Sequence, residues 1–382
     1  MRVLFVSAPL VGHLYPMVPL ARAMRDAGHD VLIASGGDAA RTQPAGLPVR
    51  DIAPGFDIGT IARRLMLRHP LIARAELAGT AGTRGVSLLF AAVNEGLADA
   101  VVALVDEWAP DLVVHEPLAV AGALAAARAG VPAVLHGSSL FDDAELARVV
   151  GDAMRRPRMD GVPPATAILR TAPASLVGHR TGTPMRPVPY GGDGSLPDDL
   201  REPSARPRIL VSRSTVAGPA GGDLMGAVVA AAPDVDAEFV LVRPSERLIR
   251  RAGLLTTGPD TGAAPDAPSR AGGSNIRAVG WIPLAEALAG CAAIVHHGGT
   301  GTILAALAAG VPQLVVPGPG DRRHNAEVVA ARGAGLAVAP RRITADHLRR
   351  LLTDPGLAKA AGEVRDEIAA MPAPADVAAT LP

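Results

Sequence analysis

The stretch VHHGGTGTILAALAAGVP, residues 295–312, joins the end of an apolar run to a glycine-rich turn and then to an alanine-rich segment with helical periodicity. This order is typical of a strand, a tight turn and a helix in an α/β protein. Glycines let the backbone approach a ligand closely, and the free N–H groups at a helix start favour an anion. We therefore expect a phosphate or diphosphate here, with His297 and Thr302 adding hydrogen bonds and His296 as the better candidate for a structural residue.

The length and charge of the chain set limits on its class. The 382 residues suit two domains of roughly 150 to 200 residues each. Lys plus Arg and Asp plus Glu both total 37, so the charge predicts neither a nucleic-acid partner nor an anionic membrane surface. Gly, Pro or charged residues break the apolar runs, so no membrane span is expected. The single cysteine, Cys291, excludes an internal disulfide, and we expect a cytoplasmic protein.

Short β-branched runs alternate with longer alanine-rich segments, which is the pattern of βα units around a parallel sheet. Residues 185–208, rich in Pro, Gly and charge, predict a linker between two halves, and residues 256–275 predict a surface insertion. The runs predicted as strands are RVLFVSA, DVLIAS, DLVVH and PAVLHG in the first half and ILVSRS, EFVLVR, NIRAVG, AAIVHH, PQLVVP and GLAVAP in the second.

The two halves also resemble each other. When AGVP at residues 129–132 is laid over AGVP at residues 309–312 without gaps, Glu116 falls on His296. Both segments then read as strand, turn, helix, AGVP and strand, which predicts polar residues at equivalent carboxyl ends of strands, where ligands of open α/β sheets collect. Two such halves facing each other would form a cleft with Glu116 on one wall and His297 on the other. The alternative is that any two βα units in an alanine-rich chain look alike.

Two further elements flank the glycine-rich turn. Trp281 follows the predicted strand NIRAVG, and its indole offers a flat face for a nucleobase, although packing in the core would also explain a lone tryptophan. Asp321 and Arg322 follow the strand PQLVVP, and the acid could accept hydrogen bonds from sugar hydroxyls. The alternative is that this pair belongs to a solvated loop or a helix cap.

In this order, Trp281, HHGGTGT and AGVPQLVVPGPGD resemble the donor-binding signature of nucleotide-sugar glycosyltransferases of antibiotic-producing actinobacteria, including those of enediyne and macrolide pathways. The likeness extends over nearly the whole chain. It implies the GT-B fold: two facing Rossmann-like domains with parallel sheets and an interdomain cleft. We expect an acceptor domain at 1–200, a donor domain at 201–360 and a final helix within 361–382 that packs back on the first domain.

The resemblance also implies roles for individual residues. His13, in GHLYP, matches the general base of the acceptor domain, and Glu116 stands where an acid orients that histidine. His297 matches the histidine that binds the donor diphosphate, Trp281 the base-stacking tryptophan and Asp321 the acid that holds sugar hydroxyls. The donor-binding set implied in this way comprises Ser214, Thr215, Trp281, His297, Gly298, Gly299, Thr300, Gly301, Thr302, Asp321 and Arg322.

Three positions depart from the family pattern. Arg322 stands where Gln usually contacts the sugar, which leaves the identity of the sugar open. Ser214 replaces a glycine in VSRST, with Thr215 still in register near the expected phosphates. Glu116 reaches about one methylene further than the usual Asp.

The spacing of the motifs predicts a site for a nucleoside diphosphate. The resemblance implies inverting, metal-independent transfer of a deoxysugar from a TDP-sugar to a hydroxyl of a hydrophobic secondary metabolite such as a polyketide, an enediyne or an aromatic compound. No metal or other cofactor is expected, because no Asp-x-Asp motif or ligand cluster is present. The partners are thus a nucleotide-sugar donor and a small-molecule acceptor, and a homodimer is left open. A sugar-nucleotide epimerase of the same fold and a catalytically silent nucleotide-binding protein are the alternatives.

Overall fold

The computed structural model describes residues 1–42, 44–78, 80–154, 161–214, 223–254, 256–257 and 275–382. The chain divides into two units. The first consists of Met1–Val188 together with Ala370–Pro382, and the second of Pro189–Ala369. Among the residues described, each unit contains one sheet of seven strands. This is the α/β architecture that the alternation of apolar runs and alanine-rich segments predicts.

The sheet of the first unit is parallel throughout, in the order β3-β2-β1-β4-β5-β6-β7. Helices cover both faces of such a sheet, and its central strands are therefore almost fully buried. Burial on both faces explains why these strands are near-continuous apolar runs. The strands are β1 Arg2–Val6, β2 Asp30–Ser35, β3 Val49–Asp51, β4 Leu112–His115, β5 Ala133–His136, β6 Ala167–Arg170 and β7 Thr183–Pro184.

The longest helix of this unit is apolar. The helices are α1 Val11–Leu14, α2 Val18–Asp26, α3 Ile58–Arg68, α4 Pro70–Ala78, α5 Arg84–Trp108, α6 Ala121–Ala129, α7 Asp143–Ala153, α8 Ala174–Val177 and, from the end of the chain, α17 Pro374–Ala378. By length and composition alone α5 could cross a membrane, although the sequence predicts no span. It packs on α6 and α7 and buries Phe90, Leu97 and Val101. Packing in the core therefore accounts for its apolar composition.

The second unit repeats the architecture, with a parallel sheet in the order β10-β11-β9-β8-β12-β13-β14. Its strands are β8 Arg208–Ser212, β9 Glu238–Val242, β10 Thr256–Thr257, β11 Ile276–Val279, β12 Ala293–His296, β13 Gln313–Val315 and β14 Gly335–Ala337. Its helices are α9 Asp198–Arg201, α10 Leu224–Ala231, α11 Glu246–Ala252, α12 Leu284–Leu288, α13 Thr300–Ala308, α14 Arg322–Arg332, α15 Ala345–Thr353 and α16 Pro355–Ala370.

The order of strands reverses at the same place in both sheets. β1 lies between β2 and β4, and β8 lies between β9 and β12. At such a switch point successive connections run in opposite directions, which opens a crevice at the carboxyl ends of the two strands. The segments that follow β1, β4, β8 and β12 are therefore placed to bind a ligand.

The segment after the unit boundary packs on the second unit. Leu196 and Leu200 belong to a cluster of buried apolar residues with strands β8, β9 and β11. The C-terminal end of the chain belongs instead to the first unit, where α17 packs on α2 and the backbone N–H of Arg186 donates to the carbonyl of Pro372.

Three charged side chains form a buried cluster at the amino ends of β8, β9 and β11. Arg208, Glu238 and Arg277 are 4%, 7% and 7% exposed. The Arg208 Nε donates to Glu238 Oε2 at 2.9 Å, and Arg277 Nη1 lies 3.5 Å from Glu238 Oε1. Arg277 also pairs with Asp199 of α9. The carboxylate of Glu238 therefore separates two buried guanidinium groups.

Removal of that carboxylate should destabilise the second unit. Glu238→Gln leaves Arg208 and Arg277 close together and incompletely paired, and we expect the free energy of unfolding to fall by on the order of 3 kcal/mol in urea titrations. The matched control is Glu246→Gln, which breaks an exposed pair with Arg250 and should cost well under about 1 kcal/mol. Equal, small losses in the two variants would contradict the structural role of the cluster.

Candidate functional site

In the first unit, a histidine and a buried acid meet at the switch point. Glu116 is the first residue after β4 and is 1% exposed. Its Oε1 accepts a hydrogen bond from the backbone N–H of Ala8 at 3.0 Å, and both carboxylate oxygens lie 3.1 Å from Nδ1 of His13. His13 lies in α1, a quarter of its side chain is exposed, and its ring lies 5.2 Å from that of Phe90. The structure therefore brings His13 and Glu116 into contact, as the resemblance implies.

This arrangement can supply a base. A carboxylate at Nδ1 favours the tautomer that carries its proton there, and Nε2 is then the nitrogen that can accept a proton. The extra methylene of Glu116 is accommodated, because the carboxylate reaches both the imidazole and the N–H of Ala8. The predicted departure from Asp therefore leaves the geometry of a histidine and its orienting acid intact.

In the second unit, the glycine-rich turn leads from β12 into α13. Gly298 has φ +87°, a conformation that favours glycine, and Gly299 is the N-cap of α13. A Cβ on Gly299 would lie 2.7 Å from His297 Nε2, whereas space next to Gly301 is open. The first N–H groups of a helix have no partner within it. The turn therefore offers backbone donors beside an imidazole, as an anion site requires.

The two adjacent histidines differ in their surroundings. His296 is fully buried, its Nε2 lies 2.7 Å from Gln313 Oε1, and its Nδ1 accepts a hydrogen bond from the N–H of Gly298. This confirms His296 as the structural histidine. His297 has a buried Nδ1 without a hydrogen-bond partner among the described residues. Burial first, and then the nearby His296, Arg322 and Arg243, hold the pKa of His297 well below its ordinary value.

The loop after β13 is tied to the glycine-rich turn by a buried asparagine. The amide nitrogen of Asn325 in α14 lies 2.9 Å from the carbonyl of Gly298, 3.2 Å from the Thr300 hydroxyl and 2.8 Å from Asp321 Oδ2. Asp321 Oδ2 also lies 3.4 Å from the Thr300 hydroxyl. Asn325 therefore fixes Asp321, the predicted sugar-binding acid, beside the start of α13.

Arg322 and Ser214 meet in the same unit. The Arg322 Nη2 donates to Ser214 Oγ at 3.0 Å, so the loop after β8 contacts the start of α14. Thr302, also in the predicted set, lies in the first turn of α13, where its N–H donates to the carbonyl of Gly299. Thr215 lies outside the described residues.

Trp281 follows β11 and is 37% exposed. Its Nε1 donates to the carbonyl of Gly191 at 2.8 Å. The guanidinium of Arg243, the first residue after β9, lies 4.7 Å from the ring centroid. The indole is therefore an accessible side chain with a fixed orientation, and a cation covers one face.

The gap-free overlay of the two halves is wrong by one residue. His115 and His296 are the last residues of β4 and β12, and they pair with Val6 of β1 and Ser212 of β8 in the same register. Glu116 therefore corresponds to His297 rather than to His296. The turn between β12 and α13 is shorter than the turn between β4 and α6, and an overlay without gaps cannot allow for this.

Sequence reasoning missed Asn325 and Arg243. Asn325 lies four residues after Asp321, the spacing that brings side chains onto one face of a helix, and this could have been noticed. Arg243 is the last residue of the predicted strand EFVLVR and directly follows β9, at the same carboxyl edge as His297. Within the described part of the chain, no group of three or more His, Cys, Asp or Glu residues is placed to hold a metal ion.

Comparisons with known proteins identify relatives over the whole chain. The model for the N-terminal domain of erythromycin biosynthesis protein CIII-like proteins matches residues 22–214, and the model for their C-terminal domain matches residues 258–382. The elloramycin glycosyltransferase ElmGT of Streptomyces olivaceus is 38% identical, and the alignment covers 100% of this chain and 97% of that protein.

Solved structures support the same assignment. The crystal structure of the glycosyltransferase SnogD from Streptomyces nogalater is 34% identical, with a TM-score of 0.76 and coverage of 99% of this chain and 98% of that one. The Streptomyces sp. SF2575 glycosyltransferase SsfS6, complexed with thymidine diphosphate, is 26% identical, with a TM-score of 0.79 and the same coverage. The two parallel-sheet units are thus those of the GT-B fold.

Buried histidines at the strand ends should make the fold acid-sensitive. Burial lowers the pKa of His115, His136 and His296 to about 4 in each case. Their folded-state pKa lies below the unfolded value of about 6.5, so the unfolded chain binds more protons as the pH falls. The free energy of unfolding should therefore decrease from pH 6.5 to 4, by up to about 3 kcal/mol for each histidine.

Urea titrations at pH 7, 5.5 and 4.5 measure this dependence. His296→Gln should show a shallower decrease than the wild type, whereas His179→Gln, at an exposed position, should follow the wild type. Parallel curves for the wild type and His296→Gln would contradict the assignment of a buried neutral His296.

Proposed function

The chain belongs to the erythromycin biosynthesis protein CIII-like family of glycosyltransferases, and we propose that it transfers a deoxysugar from a TDP-sugar to a hydroxyl group of a hydrophobic secondary metabolite. The observation that carries this proposal is the His13–Glu116 pair at one switch point together with the glycine-rich turn and His297 at the other. The first can activate a hydroxyl group, and the second can bind a diphosphate.

The donor site is proposed in the second unit. The N–H groups at the start of α13 and the side chain of His297 bind the diphosphate, and the Trp281 indole stacks on the base. Asp321, held by Asn325, accepts hydrogen bonds from the sugar. SsfS6, of similar fold, is complexed with thymidine diphosphate, and this supports thymidine diphosphate as the nucleotide.

The chemical step is proposed as a single displacement at the anomeric carbon. The acceptor oxygen forms a bond to this carbon while its proton passes to Nε2 of His13. The bond from the anomeric carbon to the diphosphate oxygen breaks, and its electron pair stays on the leaving TDP. Glu116 stabilises the imidazolium that forms. One displacement inverts the configuration of the anomeric carbon.

Metal independence is part of the proposal. The leaving diphosphate gains negative charge, which the helix N-terminus of α13 and the donors around it can stabilise without a cation. Turnover that is unchanged in excess EDTA is the expected result, and turnover that is lost in EDTA and restored by Mg²⁺ or Mn²⁺ would contradict this part.

A hydrophobic acceptor fits the helices that follow β3. Met66, Leu67 and Leu71 on α3 and α4 are 48%, 78% and 82% exposed, so this part of the first unit presents apolar side chains. Exposed apolar surface of this kind often belongs to a binding site. The similarity to the elloramycin glycosyltransferase ElmGT also supports an antibiotic-type acceptor.

His13→Ala should lower turnover sharply while it leaves binding of TDP unchanged. A positioned general base contributes about 10²- to 10⁴-fold, so we expect kcat to fall by that factor in assays with TDP-sugars and aromatic or polyketide acceptors. Glu116→Gln should also lower kcat, because an amide no longer enforces the tautomer of His13. The matched control is His179→Ala, at an exposed position of the same unit.

Three outcomes would contradict the assignments. If kcat is unchanged in His13→Ala, His13 is not the general base. Conversion of the TDP-sugar without any acceptor would favour an epimerase. Tight TDP binding without turnover across the whole acceptor panel would favour a silent nucleotide-binding protein.

A further inference from the structure

Among the described residues, two arginines of the second unit stand beside His297 without a carboxylate in ion-pair contact. Neither Arg243 nor Arg322 has an acidic group within ion-pair distance among the described residues, and both are partly covered by protein. The buried arginines of the same unit differ, because Arg208 pairs with Glu238 and Arg277 pairs with Asp199 and Glu238. A covered guanidinium without a counter-charge is costly unless a ligand supplies one.

Both guanidinium groups converge on one residue. Nη2 of Arg322 donates to the hydroxyl of Ser214 at 3.0 Å, and Nη2 of Arg243 lies 3.5 Å from the carbonyl oxygen of Ser214. Ser214 follows β8, the strand between β9 and β12, so the two cations approach the switch point from different strands. His297 lies close enough that both arginines lower its pKa.

The nearest acid is engaged elsewhere. Asp321 precedes Arg322, but its Oδ2 accepts a hydrogen bond from Asn325 at 2.8 Å and lies 3.4 Å from the Thr300 hydroxyl. Asp321 favours the charged form of Arg322, but burial outweighs this effect and lowers the pKa of Arg322. Among the described residues the two side chains form no ion pair.

The backbone of Arg243 is held in an uncommon conformation. Its φ is +53°, which is rare for a residue with a side chain, and its N–H donates to the carbonyl of Val279 at 2.8 Å. Strain of this kind persists where the surroundings impose it and concentrates at functional sites. The guanidinium then rests on the Trp281 indole, 4.7 Å from the ring centroid, which fixes its position before any ligand binds.

We propose that Arg243 and Arg322 form an arginine clamp for the diphosphate of the nucleotide donor, next to His297 and the start of α13. The clamp rests on the proposed function for the identity of the nucleotide. It assigns Arg322 to the phosphates rather than to the sugar, and it couples the diphosphate to the base-stacking residue, because Arg243 contacts Trp281. Planar guanidinium groups donate two parallel hydrogen bonds to phosphate oxygens, which suits them to this role.

Titration calorimetry with TDP, TMP and inorganic pyrophosphate tests the clamp on the full-length protein. Arg243→Gln and Arg322→Gln should each lower the affinity for TDP by roughly 10- to 100-fold, since each removes charge-assisted hydrogen bonds, and should lower the affinity for pyrophosphate as well. The affinity for TMP, which lacks the second phosphate, should fall less than the affinity for TDP. The matched control is Arg323→Gln, which removes an exposed arginine one residue further along α14 and should leave TDP affinity unchanged.

A third variant separates binding from folding. Arg243→Gly removes the guanidinium but suits the positive φ, so its Tm should equal or exceed that of the wild type while its TDP affinity falls as in Arg243→Gln. A lowered Tm with unchanged TDP affinity would make Arg243 a structural residue and overturn its part in the clamp.

The remaining outcomes distinguish the clamp from the proposed function. Unchanged TDP affinity in both glutamine variants would overturn the clamp, as would an equal loss for TMP and TDP. If the wild type binds pyrophosphate but not TDP, and both arginine variants bind pyrophosphate more weakly, the clamp stands and the proposed nucleotide is wrong. If neither ligand binds the wild type, both are overturned.

Discussion

The reversal of strand order beside the first strand of each sheet is the constraint on which both polar clusters depend. The carboxyl ends of β1 and β4 place His13 near Glu116, and Ser214 and His297 follow the adjacent strands β8 and β12. Elsewhere along these strands the helices demand apolar side chains. Polar residues therefore collect at the ends of the strands, and at the carboxyl ends of these strands the opposed connections leave a crevice. In the proposed function, the crevice of the first unit activates the acceptor and that of the second unit binds the donor.

Much of the fold could be predicted from the sequence, because the buried strands of a parallel sheet are continuous apolar runs. RVLFVSA, EFVLVR and AAIVHH all contain strands of the structure. The strands that were missed, β3, β6, β7 and β10, lie at or next to the edges of the sheets. β3 and β7, with the sequences VRD and TP, are largely exposed, so periodicity carries no signal for them. β6, with the sequence AILR, is only four residues long, and β10 falls where a surface insertion was predicted.

The candidate site was predictable only where chain order reflects position in space. The turn HHGGTGT and the acid after DLVVH follow strands directly, so their place at the sheet edge follows from the sequence. The contacts of Asn325 with Gly298 and Thr300, and that of Arg243 with Trp281, join segments distant in the chain. Neither a propensity nor a spacing encodes such contacts. The overlay without gaps paired Glu116 with His296 instead of His297 because it assumed turns of equal length. The lengths of the turns are set by how the helices pack, which the sequence does not state directly.

Titration calorimetry of TDP in the presence of EDTA, with the wild type and His297→Ala, tests the central claim that the switch point of the second unit binds a nucleoside diphosphate without a metal. The account predicts that TDP binds the wild type and that the variant loses at least about tenfold in affinity, the effect of one charge-assisted hydrogen bond. Absence of binding to the wild type, or equal affinity in both proteins, would contradict it and would leave the glycine-rich turn with a purely structural role.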